Sequence, residues 1–463
     1  MDRGRRVAAP AVKILVITND ALGARMAGPA IRAWKMATAL SQRGHDVTLF
    51  TTGNCDPLPS SFAVRRGWTD ELKALEAWCD VIVFQGFVID GQPWLAHTDK
   101  VMVVDLYDPF HLEQLELSRE ASEHDVRVEV VASTVAVLNE QIARGDYFLC
   151  ASEKQRDFWL GALGALGRIN PLTYDADPSL RSLIDVVPFG VDDEPASQQR
   201  HAIRGAVAGI AADDEVLLWG GGVYNWFDPL TLIRAVDALK ARRPKLRLYF
   251  LGMKHPNPEV PQMRMATEAL ALSEQLGLTG KHVFFNHDWV PYEQRADWLL
   301  DADIGVSTHL DHVETAFSFR TRVLDYLWAG LPIVCTAGDA MGELVEAHHL
   351  GTAVPADDVS ALANAIDALL SDDAARAEAS AAVRKVAPDF AWSKALAALV
   401  AFCDAPRRAP DLVDRETAGR LAAVGRGAAR QRRGPFHVAA SLRRHVRNGR
   451  GPELLRMALR RLR

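Results

Sequence analysis

The stretch "LLWGGGVYNWFDPL", Leu217 to Leu230, joins a short apolar run to three consecutive glycines and a Trp-Phe-Asp-Pro corner. The apolar run predicts a buried strand, and glycines after a strand let the backbone approach a ligand closely. A helix that begins near Pro229 would offer free N–H groups to an anion. The pattern favours a phosphate cradle, with a plain tight turn as the alternative. Such a cradle usually has cations, yet neither Lys nor Arg occurs between Glu215 and Ile233.

The same alternation of apolar runs and helical patterns extends along both sides of this stretch. The first array of predicted strands is 12–18, 46–50, 80–85, 100–106 and 146–152. The second array is 185–193, 215–221, 246–252, 282–286, 303–308 and 332–336. Their continuous apolar character indicates parallel sheets covered on both faces. Two successive arrays predict an α/β fold of two Rossmann-like doubly wound domains, with the site at the carboxyl ends of the strands.

The predicted division of the chain follows from these arrays. Residues 1–190 are predicted to form an N-terminal Rossmann-like domain and residues 191–385 a second one, with the boundary where Pro188, Gly190 and Pro195 interrupt the pattern. Residues 386–404 are predicted to be a helix that returns to the first domain, and residues 405–463 an arginine-rich amphipathic tail.

Composition narrows the class of protein. Of 463 residues, 49% are hydrophobic and 24% are charged, which is typical of a globular protein. No run of apolar residues is long enough to predict a transmembrane helix, and the basic start has too short an apolar run for a secretion signal. The five cysteines are odd in number and widely spaced, which favours reduced thiols and a cytoplasmic location over a metal site.

The net charge of −6 conceals an asymmetry. Residues 407–463 contain 16 arginines and 4 acids, which gives them +12 and leaves about −18 for the rest of the chain. In "GPELLRMALRRLR", 451–463, Leu455, Ala458, Leu459 and Leu462 are predicted to share one helical face opposite arginines. This pattern indicates docking on an anionic membrane surface, with a solvated tail or one packed on the acidic body as alternatives. The acidic body predicts no nucleic-acid partner.

The most specific stretch is "DHVETAFSFRTRVLDYLWAGLPIVCTAGD", Asp311 to Asp339. Ser318 is predicted to cap a helix that runs to Leu327 and closes at Ala329-Gly330. Arg322 and Asp325 are three residues apart and share a helical face. A carboxylate there can accept two hydrogen bonds from a ribose diol, and Arg320 or Arg322 can pair with a phosphate. A local ion pair between Arg322 and Asp325 is the alternative.

Several cofactor motifs are absent from the sequence. There is no GxGxxG with a following acid at dinucleotide spacing and no GxxxxGK[ST], which disfavours NAD enzymes and P-loop ATPases. The Asp-x-Asp pairs at 175–177 and 301–303 are predicted to be loop and helix–strand junction. We therefore predict no cofactor and no metal.

Taken together, these motifs resemble retaining glycosyltransferases of family 4, which have the GT-B architecture of two facing Rossmann-like domains. The resemblance covers roughly residues 12–404 and rests on "GPAIRAWKMATALSQRGHDVTLF", "DVVPFGVD", "WVPYEQRADWLLDADIGVST" and "RVLDYLWAGLPIV". It implies a nucleotide-sugar donor, front-face attack with retention, and no metal in the chemical step.

The chain departs from the family pattern in the donor site. The ribose acid, usually glutamate, falls on Asp325, and the partner glutamate eight residues earlier falls on Phe317, with Glu314 nearby. We predict that Glu314 holds the transferred sugar. The usual loop cations become Gly222 and Phe227, so we predict that Lys254 and Arg322, or Arg320, bind the diphosphate, assisted by Gly221 and Gly222, with Asp228 as a cap of the loop.

The N-terminal domain supplies the predicted acceptor side. "VVDLYDPFHLEQLE" places Asp105 and Asp108 after a strand, as catalytic candidates or as helix-capping aspartates. The glycine-bearing loop before the first helix adds Gly28 and Arg32.

These features predict a cytoplasmic, peripherally membrane-bound enzyme that glycosylates a glycan or lipid-linked acceptor in surface polysaccharide assembly. Two alternatives stay open. One is a catalytically silent subunit that binds nucleotide sugar and scaffolds a partner, and the other is a phosphorylase or sugar-phosphate enzyme of the same architecture.

Overall fold

A computed structural model of the chain describes residues 11–119, 123–253, 263–288 and 290–432. The chain divides into two compact units. Among the described residues, the first unit takes those within 11–108, 136–188 and 395–430, and the second those within 109–135, 189–394 and 431–432. The described residues of 109–135, predicted to belong to the first domain, group with the second unit, whereas residues 395–404, part of the predicted returning helix, group with the first unit.

The helices are numbered along the chain. They are α1 Gly28–Arg43, α2 Thr69–Trp78, α3 Val88–Gly91, α4 Phe110–Leu117, α5 His124–Arg144, α6 Glu153–Ala165, α7 Pro171–Ala176, α8 Pro229–Leu239, α9 Arg264–Gln275, α10 Ala296–Leu299, α11 Val313–Phe317, α12 Thr321–Ala329, α13 Ala340–Ala347, α14 Val359–Ser371, α15 Asp373–Val386, α16 Trp392–Ala395, α17 Ala397–Asp404, α18 Pro410–Val413 and α19 Arg415–Arg432. No helix within the described ranges is both long and apolar enough to cross a bilayer.

The first unit contains a sheet of seven parallel strands in the order β3-β2-β1-β4-β5-β6-β7 among the described residues. The strands are β1 Lys13–Thr18, β2 Asp46–Thr51, β3 Ala63–Arg66, β4 Val81–Gln85, β5 Val101–Asp105, β6 Tyr147–Cys150 and β7 Ile184–Val186. Helix α1 ends at the C-cap residue Gly44, which takes a left-handed φ of 102°.

The second unit contains a sheet of six parallel strands in the order β10-β9-β8-β11-β12-β13, again among the described residues. They are β8 Glu215–Trp219, β9 Leu246–Phe250, β10 Val283–Phe285, β11 Ile304–Ser307, β12 Ile333–Thr336 and β13 Gly351–Val354. The strand order reverses direction between β8 and β11. Ligands of open parallel sheets bind outside the carboxyl ends of the strands at such a switch point.

One boundary prediction is wrong. Ser318 does not cap the helix that carries Arg322, because it follows the short helix α11 and its hydroxyl bonds to the carbonyl of Glu314 at 3.0 Å. Helix α12 instead begins at Thr321 after Arg320, and no side chain caps its first turn. Its end is as predicted, with Gly330 at a φ of 70°.

The C-terminal segment is fastened to the first unit by a buried ion pair. Arg168 donates from Nε to Asp411 at 2.7 Å and from a terminal nitrogen at 3.1 Å, and both side chains are fully buried. Arg168 also donates to the carbonyl of Gly145 at 2.8 Å. Because a bidentate pair with further hydrogen bonds offsets the cost of burying both charges, α18 is held in place.

The contact of Gly305 with Tyr326 yields a stability prediction. A Cβ at Gly305 would lie 2.4–2.6 Å from the ring carbons of Tyr326, so Gly305→Ala must displace α12. We expect a loss of about 1–3 kcal/mol in the free energy of unfolding, measured by urea titration of the full chain. The control is Gly161→Ala in α6, where nothing lies within 4 Å of the new methyl group and stability should hold or rise. Equal effects of the two changes would contradict the packing argument.

Candidate active site at the carboxyl edge of the second sheet

Tyr326 of α12 joins the two strands that flank the switch point. Its buried hydroxyl accepts a hydrogen bond from the N–H of Gly220 at 2.8 Å. The same oxygen lies 2.9 Å from the carbonyl of Leu218 in β8 and 2.8 Å from that of Val306 in β11. Burial raises the pKa of this hydroxyl well above its ordinary value, so it stays protonated as a donor. Helix α12 is therefore fixed over the ends of β8 and β11.

The glycine run follows β8 as predicted. Gly221 has a left-handed φ of 96°, and a Cβ added there would meet no atom of the described residues within 4 Å, so these residues leave open space above the loop. The carbonyl of Gly222 accepts hydrogen bonds from Arg322 at 2.7 Å and from Trp219 Nε1 at 3.3 Å.

Arg322 is a buried cation beside this loop. It is 7% exposed, and its guanidinium carbon lies 4.1 Å from the ring centre of Trp219 and 3.9 Å from that of Phe227. Within the described part of the chain it has no carboxylate partner, and one terminal nitrogen has no hydrogen-bond partner. Burial lowers its pKa to about 10, which still leaves it charged at neutral pH. The structure thus brings Arg322 and Gly222 together as predicted.

Arg320, only two residues away, has a different environment. Its guanidinium lies 3.2 Å from Glu314 and 3.5 Å from Asp339, and all three side chains are buried. Ser318 also donates a hydrogen bond to the carboxylate of Glu314. The acid predicted to hold a sugar is therefore occupied by the neighbouring arginine, and its contact with a sugar stays a prediction.

Asp325 does not pair with Arg322, so the local ion-pair interpretation is wrong. One of its oxygens accepts from Arg295 Nε at 3.0 Å, and its side chain is 33% exposed. Burial raises the pKa of Asp325 and Arg295 opposes the shift. Arg295 also pairs with Asp192 at 2.8 Å and stacks on Trp328 at 4.0 Å. The carboxylate is thus fixed by Arg295, and its second oxygen accepts no hydrogen bond from the described residues, which suits the predicted ribose contact.

Asp228 and Lys254 complete the predicted donor residues. Asp228 is buried, and its carboxylate accepts from the N–H of Thr231 at 3.0 Å, so it caps α8. This helix cap differs from the predicted cap of the glycine loop, and the occupied oxygen weighs against a direct donor contact, which stays a prediction. Lys254 lies outside the described residues.

The first-unit candidates form a buried pair. Arg32 donates to Asp105 at 2.6 Å and 2.9 Å, and also to the carbonyls of Val187 and Pro188. With both oxygens engaged, Asp105 has a structural task in this unit, and its catalytic role stays a prediction. Asp108 is half-buried three residues beyond, and Gly28 begins α1.

The sequence patterns missed a concentration of unpaired polar atoms at this edge. Among the described residues, eleven buried side-chain nitrogen or oxygen atoms have no hydrogen-bond partner. Five of them belong to the 16-residue span from β11 into α12, namely Ser307, His309, His312, Arg320 and Arg322. Of these, the nitrogens of His309 and Arg320 lie 3.5 Å from the carboxylate of Asp339, so they have a nearby charge but no hydrogen bond. Buried polar groups are nearly always satisfied in folded proteins, so such a concentration marks a place where a polar ligand belongs. Arg295 was also missed, since its role depends on contacts distant in sequence.

Comparison with known structures assigns the fold to the GT-B class. WaaG, a glycosyltransferase involved in lipopolysaccharide biosynthesis, matches with a TM-score of 0.61 at 16% identity over 85% of this chain and 100% of its own. Sucrose-phosphate synthase from Thermosynechococcus elongatus matches with a TM-score of 0.59 at 18% identity over 84% and 96%. The two parallel-sheet domains predicted from the sequence are thereby confirmed.

Sequence comparison finds a matching family model within the second unit. Residues 214–372 match the family model described as "Glycosyl transferases group 1". A D-inositol 3-phosphate glycosyltransferase of Xylanimonas cellulosilytica is 28% identical over 236 residues, which are 49% of this chain and 52% of that protein. The similar enzyme of Nocardioides is also 28% identical, over 47% of each chain. The chain thus spans about half the length of the curated relatives it matches.

His309 gives this site a testable pH dependence. Its ring is 2% exposed, and burial, assisted by the charge of Arg320, lowers its pKa to about 4. The unfolded chain therefore binds more protons than the folded chain between about pH 6.5 and 4, and stability falls as the pH falls through this range. We expect His309 to account for about 2 kcal/mol of the loss between pH 7.5 and 5.

His309→Gln should remove this part of the pH dependence, read as the shift of the urea midpoint between the two pH values. The control is His348→Gln, because His348 is exposed and its substitution should preserve the wild-type profile. An unchanged pH profile in His309→Gln would contradict a buried, neutral imidazole.

Proposed function

We propose that the protein is a glycosyltransferase that moves a sugar from a nucleotide-sugar donor to an acceptor. The observation that carries the proposal is the concentration of buried polar atoms that have no hydrogen-bond partner among the described residues, Arg322 among them, at the switch point of the second sheet. A nucleotide diphosphate supplies both the negative charge and the hydrogen-bond acceptors that such a site lacks.

Structures of the same fold support this choice of donor. HepE of Anabaena was solved with UDP-glucose and has a TM-score of 0.59 to this chain at 15% identity, over 84% of this chain and 98% of its own. In our proposal the open space above Gly221 receives the phosphates, and the second oxygen of Asp325 accepts hydrogen bonds from the ribose. Arg322 and the loop N–H groups stabilise the negative charge that develops on the leaving diphosphate.

The proposed mechanism, acceptor and cellular location rest on the resemblance to family 4. It supports retention of anomeric configuration by front-face attack without a metal ion, with a phosphate oxygen assisting deprotonation of the acceptor. It also supports a glycan or lipid-linked acceptor, as in surface polysaccharide assembly, and a cytoplasmic enzyme.

The first test is a thermal-shift panel of UDP-, GDP-, ADP-, CMP- and dTDP-sugars on the full chain, followed by an assay for released nucleotide. We expect one base to stabilise the protein and its sugar to be released. Stabilisation without release, even with candidate acceptors, would favour the silent-subunit alternative. Phosphate-dependent glycan cleavage would favour a phosphorylase.

The ribose contact is tested with Asp325→Ala. If Asp325 accepts from the ribose diol, wild type should bind the selected nucleoside diphosphate roughly tenfold or more tightly than its 2′,3′-dideoxy form. Asp325→Ala should bind both equally, by calorimetry. Asp237→Ala, which removes a partly exposed acid of α8, serves as the control and should keep the preference. A preference that survives in Asp325→Ala would remove Asp325 from the site.

We also propose that the arginine-rich C-terminal segment binds an anionic membrane surface. The support is the +12 charge of residues 407–463 and the exposure of Arg415, Arg420 and Arg426 on α19. The full chain should sediment with vesicles of phosphatidylglycerol and not of phosphatidylcholine, and added salt should release it. Replacing Arg456, Arg460 and Arg463 by Gln should weaken sedimentation, whereas the same change at Arg242 and Arg376 should not. Equal binding to neutral vesicles would contradict the proposal.

A further inference from the structure

The two arginines at the start of α12 differ in how their charge is balanced. Arg320 lies within 3.5 Å of two buried carboxylates, those of Glu314 and Asp339. Arg322 is equally buried but has only a backbone carbonyl, that of Gly222, as its acceptor in the described part of the chain. A buried charge without a counter-charge costs free energy of folding. The positive charge of Arg322 is therefore one that a negatively charged ligand can neutralise.

The surroundings of Arg322 fix where that charge points. The faces of Trp219 and Phe227 hold the guanidinium carbon at 4.1 and 3.9 Å from their centres, which suits a planar cation. One terminal nitrogen donates a hydrogen bond to Gly222, and the other has no hydrogen-bond partner among the residues that the structure describes. The cation is therefore held against the glycine loop, with donor capacity left over.

Two neighbouring features favour an anion at the same place. The loop from β8 to α8 contains no Lys or Arg, so a negative ligand at Gly220–Gly222 must find its cation elsewhere. The first turn of α12 contains no acid and has no capping side chain, which leaves its N–H groups and positive dipole end for an anion.

We infer that Arg322, and not Arg320, is the ligand of the donor diphosphate, and that Phe227 and Trp219 hold it in position for this task. The inference rests on the proposed function and assigns the charge recognition of that site to one residue. Arg320 instead serves as the internal counter-ion of Glu314 and Asp339. Its charge is already balanced, so a ligand phosphate would gain little from it.

The two roles predict opposite behaviour of Arg322→Met and Arg320→Met. Without ligand, Arg322→Met should melt at or above the wild-type temperature, because an unbalanced buried charge is replaced by an apolar side chain. Trp219 Nε1 still donates to Gly222 in that variant. Arg320→Met should melt at a lower temperature, because two buried carboxylates lose their cation.

Ligand affinities should distinguish the two variants further. The probes are UDP, UMP and uridine, or the same three forms of the base that the panel selects, together with inorganic pyrophosphate. Wild type and Arg320→Met, at a temperature where it is folded, should bind the diphosphate roughly tenfold or more tightly than the nucleoside. Arg322→Met should bind the nucleoside as wild type does and lose the preference. Arg322→Lys should recover it only in part, since an ammonium cannot reproduce the stacked, planar contact.

A diphosphate preference that survives in Arg322→Met, or a loss of it in Arg320→Met alone, would overturn the inference. Pyrophosphate distinguishes this failure from failure of the proposed function. If no nucleotide sugar is turned over but pyrophosphate stabilises wild type and not Arg322→Met, the anion site stands and the transferase proposal falls. If the sugar is turned over equally by Arg322→Met, the transferase proposal stands and the inference falls.

Discussion

The hydroxyl of Tyr326 is the contact on which the arrangement of this site depends. It meets the backbone of Gly220, Leu218 and Val306 at once, at distances of 2.8–2.9 Å. Because these groups belong to the two strands on either side of the switch point, one side chain fixes the position of α12 relative to both. The positions of Arg322 and Asp325 then follow from the helical repeat, and Gly305 provides the space that the tyrosine ring requires.

The sheets could be predicted from the sequence because their central strands are continuous apolar runs, whereas two edge strands could not. β3 reads AVRR and is largely exposed, and β13 reads GTAV, so neither has the buried apolar pattern that identified the others. The residue type of Ser318 predicts a helix cap, but the chain makes a separate short helix before it. The position of Arg322 on the glycine loop was predictable from the strand order. The partners of Asp325 and Asp105 were not, since Arg295 and Arg32 reach them across 30 and 73 residues of sequence.

Phe227 connects the sequence comparison with the electrostatics. At the position where the resemblance predicts a loop cation, the chain has an aromatic ring, and the guanidinium of Arg322 lies 3.9 Å from the centre of that ring. A cation supplied by the helix thus occupies the neighbourhood of the missing one. Because the stem is stacked and one nitrogen is bonded to Gly222, little conformational freedom would be lost when a ligand arrives.

The ion pair of Arg168 with Asp411 has a consequence for anyone who divides this protein into fragments. The first unit is assembled from three separate stretches of the chain, the last of which includes Asp411. A fragment that stops at the end of the first sheet would lack Asp411 and leave the guanidinium of Arg168 without its carboxylate partner. No single cut therefore releases an intact first unit. A recombinant version would need the α17–α18 segment fused back through a designed linker, or supplied as a second polypeptide that complements the first.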